Sequence, residues 1–338
     1  MPFNSRVMVV SSTIVIVNWN GRHLLPGCLE GLRNQQYQGF STVLVDNGSS
    51  DGSIDYVAGN HPEVKIIGLP RNIGFPAANN IALKGLRTEY VALLNNDAIP
   101  DPLWLMNLLK AMERYPEAGF VASKMLFNGN RGVIDRAGDS YTRAGVGHLR
   151  GRGAPAEHYD EQEWIFGACA GAALYRGAML EKIGLFDEDF FLIYEDVDLS
   201  FRAQLMGYRC LYVPEAVVYH RGSSSLVHDS PVSVYYGHRN LEWVYLQNMP
   251  ELLIRKTVGE HVIYGIGAFL FFASKGRVKD FIKAKLHALK GLKTSLRKRR
   301  RIQAARIVTD AYIWSLLERE RFLPRLAMRF EGSNTAGK

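Results

Sequence analysis

Cysteine is scarce, with three in 338 residues. Cys28, Cys169 and Cys210 are far apart and odd in number, so neither a disulfide framework nor a cysteine metal cluster fits them. A reducing compartment is the default for such a chain. Long apolar runs are also missing. The longest, Val262 to Ala273, has about a dozen residues, against the roughly 20 needed to cross a bilayer as a helix. Met1 to Ser12 lacks the apolar core of a secretory signal. No repeat of solenoid type is present. Acidic residues are nearly absent from one stretch: Lys275 to Arg301 holds twelve Lys or Arg against the single Asp280. The net charge of +8 therefore sits there, and the rest of the chain is slightly acidic.

What remains is ordinary for a globular protein, with 47% hydrophobic and 22% charged residues. Through the first third, short β-branched runs alternate with helical patterns. The pattern predicts strands at Thr13–Val17, Thr42–Val45, Val64–Gly68, Tyr90–Leu94 and Gly119–Lys124. Helices are predicted over His23–Asn34, from about Ser53, over Phe75–Leu86 and from Pro102 to about Tyr115. This alternation argues for an α/β fold with a mostly parallel sheet, whose ligands bind at the carboxyl ends of the strands. Residues 127 to 163 are rich in Gly and Arg and read as irregular loops or a hairpin. Glu195–Met206 reads as a helix stopped by Gly207, followed by strands at Tyr208–Val213 and Ala216–Tyr219. The pattern is helical from Pro231 onward, which places a boundary near 230 between domains 1–230 and 231–338.

Three polar clusters follow predicted strands: Asn18-Trp19-Asn20-Gly21, Asp46 to Ser53, and Asn95-Asn96-Asp97-Ala98. Each alone is turn chemistry, and Asp51 or Ser53 could simply cap the next helix. Together, at one edge of one sheet, they have the makings of a nucleotide-diphosphate pocket. An Asp accepts a hydrogen bond from base or ribose, an indole stacks on the base, and a second carboxylate holds a cation that also binds phosphates.

Six segments in order carry a resemblance to family 2 glycosyltransferases, in particular the rhamnosyltransferase-like branch. They are Thr13–Asn20, Leu44–Ser53, Asn72–Asn80, Leu93–Ala98, Phe190–Leu199 and Val213–His220, covering about residues 10 to 225. The resemblance implies a GT-A fold and an inverting sugar transfer. It implies that Val17 and Trp19 cradle the base, that Asp46 meets base or ribose, and that Asn72, Gly74, Asn80 and Asn96 shape the donor pocket. Asp97, with Asn95, would hold Mg2+ or Mn2+, although two amides stand where the family usually has an acidic Asp-x-Asp pattern. Asp196 would be the catalytic base with Glu195 beside it; as a rival reading, acids are favoured in a helix's first turn anyway. His220 would complete the metal or diphosphate site, most simply by a hydrogen bond to diphosphate, and the loop after it would order over bound donor.

The basic helical region admits a solvated face, a nucleic-acid patch, a subunit contact or an interfacial helix on anionic lipid. The last is preferred, with the basic run 293–301 as its contact and no nucleic acid as partner. The expected function is transfer from a dTDP- or UDP-sugar, rhamnose first, to a glycan or polyprenyl-diphosphate acceptor at the cytoplasmic face of the cell membrane. Two rivals are a decayed, non-catalytic scaffold and a nucleotidyltransferase. The second should carry a glycine-rich basic loop after the first strand, where Asn20-Gly21-Arg22-His23 stands instead.

Overall fold

A computed structural model describes residues 11–221 and 229–319. Strands β1 (Ser12–Asn18), β2 (Phe40–Asp46), β3 (Val64–Gly68) and β4 (Tyr90–Leu94) are parallel and alternate with helices α1 (Leu25–Arg33), α2 (Ser53–Asn60) and α3 (Phe75–Leu83). Then come β5 (Ala98–Pro100), α4 (Trp104–Arg114) and β6 (Ala118–Phe127). The segment expected to be irregular forms β7 (Asn130–Arg136), β8 (Asp139–Thr142), β9 (Gly147–Leu149) and β10 (Glu163–Ile165). These strands are too short, and β7 too irregular in its pairing with β6, to leave an alternating signal. β11 (Ala172–Arg176), α5 (Gly177–Ile183), α6 (Glu195–Leu205) and β12 (Arg209–His220) complete the catalytic layer. The two strands expected before His220 are one, with a register shift between Val213 and Val217 where Pro214 has no N–H to give.

The strand order is β10-β12-β6-β11-β4-β1-β2-β3, with β5 on β12 and β7 on β6. The sheet is parallel through its first half and mixed beyond, because β11 runs antiparallel to both β4 and β6. In β1, Ile14 and Ile16 face one core with α1 and α4, while Val15 faces the other with α3 and α6. That period of two, buried on both sides, is why the strand reads as a nearly continuous apolar run. Trp104 is fully buried and its indole N–H donates to Ser123 Oγ at 2.8 Å.

The remaining chain forms α7 (Pro231–Asn248), α8 (Glu251–Ser274), α9 (Val278–Lys290), α10 (Leu292–Ala305), α11 (Asp310–Leu316) and the short β13 (Leu317–Glu318). A third core joins both sides of residue 230. Tyr141, Phe166 and Phe201 pack with Val244, Tyr245, Met249 and Ile313.

Candidate active site

The parallel register sets Asn18 directly beside Asp46, and a buried network grows from that pair. Asn18 Nδ2 donates to Asp46 Oδ2 at 3.0 Å, and Asn18 Oδ1 accepts from Asn96 Nδ2 at 2.7 Å. Asp46 Oδ1 accepts from the Ser49 amide at 2.8 Å. Three strand ends are thus tied through one asparagine. Asp46 is fully buried with both oxygens engaged, so it organises the turn from beneath rather than lining the cleft. Trp19 stands at the lip, 50% exposed, and Val17 is half-buried under it. Asp51 Oδ2 accepts from the Arg22 amide at 2.9 Å and pins the β1–α1 turn.

A second asparagine, Asn47, holds the other wall. Its Nδ2 donates to Asn72 Oδ1 at 3.0 Å, and its Oδ1 accepts from the Ile73 amide at 2.9 Å. Gly74 follows with φ +91, and a Cβ there would lie 2.7 Å from Phe191 O. Asn80, expected in the donor pocket, is 2% exposed. Both ends of its amide go to the Phe186 backbone, at 2.8 and 3.1 Å. It therefore positions the loop after α5 and presents nothing to a donor.

The antiparallel register of β5 with β12 pairs His220 with Ala98 and so brings the imidazole to Asp97. His220 Nε2 lies 3.1 Å from Asp97 Oδ1, and Nδ1 lies 2.8 Å from Asp135 Oδ2 on β7. Burial opposes charge on the ring, but the two carboxylates outweigh it and lift its pKa to about 9. Arg152 in turn braces Asp135 at 2.6 Å. The Asn95 amide lies against Gly171, and the Asn96 amide is spent on Asn18. A cation bound at Asp97 would therefore meet His220, which lies 3.1 Å from that carboxylate. Among the described residues, no group of three or more acids, histidines or cysteines forms a cage of its own. In the charged ring both nitrogens donate, so His220 fits a divalent ion only with Nε2 deprotonated, the ion beside Asp97 taking the place of that proton and substrate phosphates and water completing its shell. The loop expected to follow His220, residues 222–228, lies outside the described residues.

The opposite wall is built on strained backbone. Phe191, Ile193 and Tyr194 have φ of +64, +67 and +75. Such values are uncommon for any non-glycine residue and an outlier for β-branched Ile193. Fully buried Asn240 of α7 holds them: its Nδ2 lies 3.0, 2.8 and 2.7 Å from the carbonyls of Phe190, Leu192 and Ile193. Arg239 adds bonds to the Asp189 and Phe190 carbonyls, both at 2.8 Å. The strained turn launches α6 and separates its first two acids. Glu195 is 6% exposed, and burial, then the neighbouring Asp196, push its pKa up to about 8. A buried carboxyl held in its protonated form cannot take up another proton, so of the two acids Asp196 is the better placed to accept one. Asp196 is 14% exposed, with Oδ2 3.6 Å from Arg136 Nη1. The same guanidinium reaches Asp139 Oδ1 at 3.4 Å, while burial lifts the Asp139 pKa to about 7.

Sequence reading missed Asn47, Asp135, Arg136, Asp139, Arg239 and Asn240. Asp135 and Arg136 share β7, and one braces His220 while the other faces Asp196. Only the density of Arg in that stretch hinted at it.

The model of the family described as "Glycosyl transferase family 2" matches residues 13–184, just over half the chain. The N-acetylglucosaminyl-diphospho-decaprenol L-rhamnosyltransferase of Mycobacterium tuberculosis is 28% identical over 231 residues, covering 61% of this chain and 74% of that one. GalNAc-T7, solved with UDP, GalNAc and Mn2+, superposes with a TM-score of 0.59 at 17% identity. That alignment covers 72% of this chain but only 48% of GalNAc-T7. The mannosyltransferase PcManGT of Pyrobaculum calidifontis, solved with GDP-Man and Mn2+, has a TM-score of 0.53 at 17% identity, covering 90% and 85% of the two chains. These likenesses establish the GT-A fold. With the family match, the chain belongs to glycosyl transferase family 2 and is a glycosyltransferase.

Proposed function

We propose that the enzyme transfers a sugar, with inversion, from a dTDP- or UDP-sugar to a hydroxyl of a glycan or polyprenyl-diphosphate-linked acceptor in cell-surface polysaccharide synthesis. Rhamnose is the leading sugar, on the strength of the mycobacterial relative's name. The observation that carries the mechanism is the position of Asp196. It is a partly open carboxylate held opposite Arg136, in the first turn of α6 directly after the strained segment.

In this reading Asp196 accepts the proton of the acceptor hydroxyl as that oxygen bonds to the anomeric carbon. The bond from that carbon to the diphosphate oxygen breaks at the same time, and the nucleoside diphosphate leaves with the electron pair. Arg136, 3.6 Å from the Asp196 carboxylate, orients it. Trp19 stacks on the base, and the Asn18–Asp46–Asn96 network keeps the three strand ends in register beneath it. Mg2+ or Mn2+, held by Asp97 and His220 together with the diphosphate, would supply charge neutralisation of the leaving group. An acceptor of this kind is met at the inner face of the cell membrane, where the chain would work from the cytoplasm.

The test is donor consumption with dTDP-rhamnose and with UDP-sugars, each with and without Mn2+, for the wild type and Asp196→Asn. The variant should lose about 10²- to 10⁴-fold in kcat, the usual worth of a positioned base. Its nucleotide affinity, read by thermal shift, should stay unchanged. A fully active Asp196→Asn enzyme would remove Asp196 from the mechanism.

A further inference from the structure

Twelve of the eighteen exposed large apolar side chains among the described residues lie on α8, α9 and α10. On α8, Val262, Ile263, Ile266 and Leu270 are 52 to 61% exposed and fall at helical spacing along one face. On α9, Leu286 and Leu289 continue the surface at 54 and 65%. Scattered exposed leucines need no explanation, but a contiguous run across neighbouring helices marks a contact surface. Two shallow hollows of about 380 and 310 Å3 open on it. One is walled by Val262, Ile266 and Phe269, the other by Ile282 and Leu286 with Lys279, Lys283 and Lys290 around them.

The charge on this face is mainly basic, since Glu242, which lines the first hollow, is paired with His261 and Lys285. Lys279, Lys283, Lys290 and Lys293 are exposed between or beside the apolar residues. The densest basic block is in part turned inward instead. Lys298 pairs with Asp187 and Asp189 at 2.5 and 2.6 Å, and Arg299 donates to the carbonyls of Leu246 and Met249 at 2.7 and 2.6 Å. The contact expected at 293–301 therefore belongs mainly to the α8–α9 hairpin.

We propose that the exposed face of α8 and α9 seats in the interfacial layer of an anionic lipid bilayer, with its apolar side chains at the acyl boundary and its lysines among the phosphates. This deepens the placement at the membrane proposed above. A second copy of the chain fits poorly, because a two-fold contact through this face would set lysine row against lysine row. A transmembrane seat for α8 fits no better. Its length and composition would allow a span. However, Leu253, Thr257, Phe271 and Phe272 are buried against the protein, and mid-helix His261 bonds Glu242 at 3.0 Å. An in-plane seat keeps those contacts and covers the rest.

The test is flotation of the full chain with phosphatidylcholine vesicles with and without phosphatidylglycerol, at physiological salt and without substrate. Wild-type protein should float with the anionic vesicles. Lys283→Gln with Lys290→Gln should weaken binding about 30-fold, from roughly 1 kcal/mol per basic residue. Ile263→Gln with Leu270→Gln should weaken it at least as much, while Arg300→Gln with Arg301→Gln should have a smaller effect. Wild type that stays with neither vesicle, or binding indifferent to both α8–α9 pairs, would overturn the proposal. So would a solution dimer that becomes a monomer in Ile263→Gln/Leu270→Gln, since the face would then be taken by a second copy. No sugar transfer enters the assay, so an inactive enzyme that floats leaves the surface standing. Active protein that does not float leaves the transfer reaction standing.

Discussion

Removing the Asn240 side chain should uncouple the base wall from the donor wall. The turn it holds carries three non-glycine residues at positive φ, Phe191, Ile193 and Tyr194. At about 1 kcal/mol each, the lower end for such backbone, they store roughly 3 kcal/mol of strain. Against this stand the two N–H bonds of one buried amide, shared among three carbonyls at 2.7 to 3.0 Å and worth about 1.5 kcal/mol each at the upper end. The two sums nearly cancel, so Asn240→Ala should let the turn relax in most molecules and carry Asp196 off its position. A loss near 3 kcal/mol corresponds to about a 100-fold fall in kcat. Nucleotide affinity should move less than kcat, because Asn18 and Asp46 hold their part of that wall apart from the turn, while the Asn47 part touches it through the Phe75 amide, which donates to Phe191 O at 2.8 Å. Asn240→Asp, close in size but unable to donate, should lose as much, which separates hydrogen bonding from packing. The assay is kcat beside a nucleotide thermal-shift titration on the same preparations. A folded Asn240→Ala enzyme with wild-type kcat would refute the reasoning.

Arg136→Met should leave Asp196, Asp139 and Glu195 without their shared cation. The Asp139 and Glu195 pKa values, which Arg136 holds down, then rise further, and the acid limb of the kcat/KM profile moves to higher pH, with partial return in Arg136→Lys; an unmoved limb in Arg136→Met contradicts this. Gly74→Ala sets a methyl 2.7 Å from Phe191 O at φ +91. It should cost about 1–3 kcal/mol in urea unfolding, with kcat reduced, and an unaltered melting curve would show the contact to be slack. Glu242 is held down at about 2 because His261 and Lys285 outweigh its burial. A depressed carboxylate stabilises the fold above its unfolded pKa of about 4.5. That contribution, at most about 3 kcal/mol, should fade as pH falls from there towards 2. Glu242→Gln should flatten the acid side of the stability curve, and a curve parallel to wild type would exclude the linkage.

The parallel half of the sheet was legible because Ile14, Val15, Ile16 and Val17 bury alternately on two faces, and the polar residues after each strand had nowhere to go but the strand ends. The positions of Trp19 and Asp97 just after β1 and β4 followed from the same reasoning, whereas Asp196 stands at the start of α6. Asn80 and Asp46 were not, since a sequence does not say whether a polar side chain faces a cleft or holds the wall from behind. The burial of Glu195 was not legible either: one residue along a helix start turns a carboxylate from the cleft into the core. Asp135 and Arg136 were hidden because β7 pairs with irregular register, so no alternation announces the strand. Asn240 left no trace at all. Its partners are 47 to 50 positions away and are backbone carbonyls, which no side-chain pattern encodes.

The position of Asn240 also bears on how such enzymes can be recombined. The segment that matches the family ends at residue 184, and Asp196 follows on α6, but the amide that holds the turn before Asp196 comes from α7. A cassette cut at residue 230 would carry the base without its clamp and would expose the third core. Exchanging C-terminal regions between relatives would therefore transplant part of the catalytic wall along with the surface expected to meet lipid. A chimera would keep its activity only where the incoming helix offers an amide at the same height.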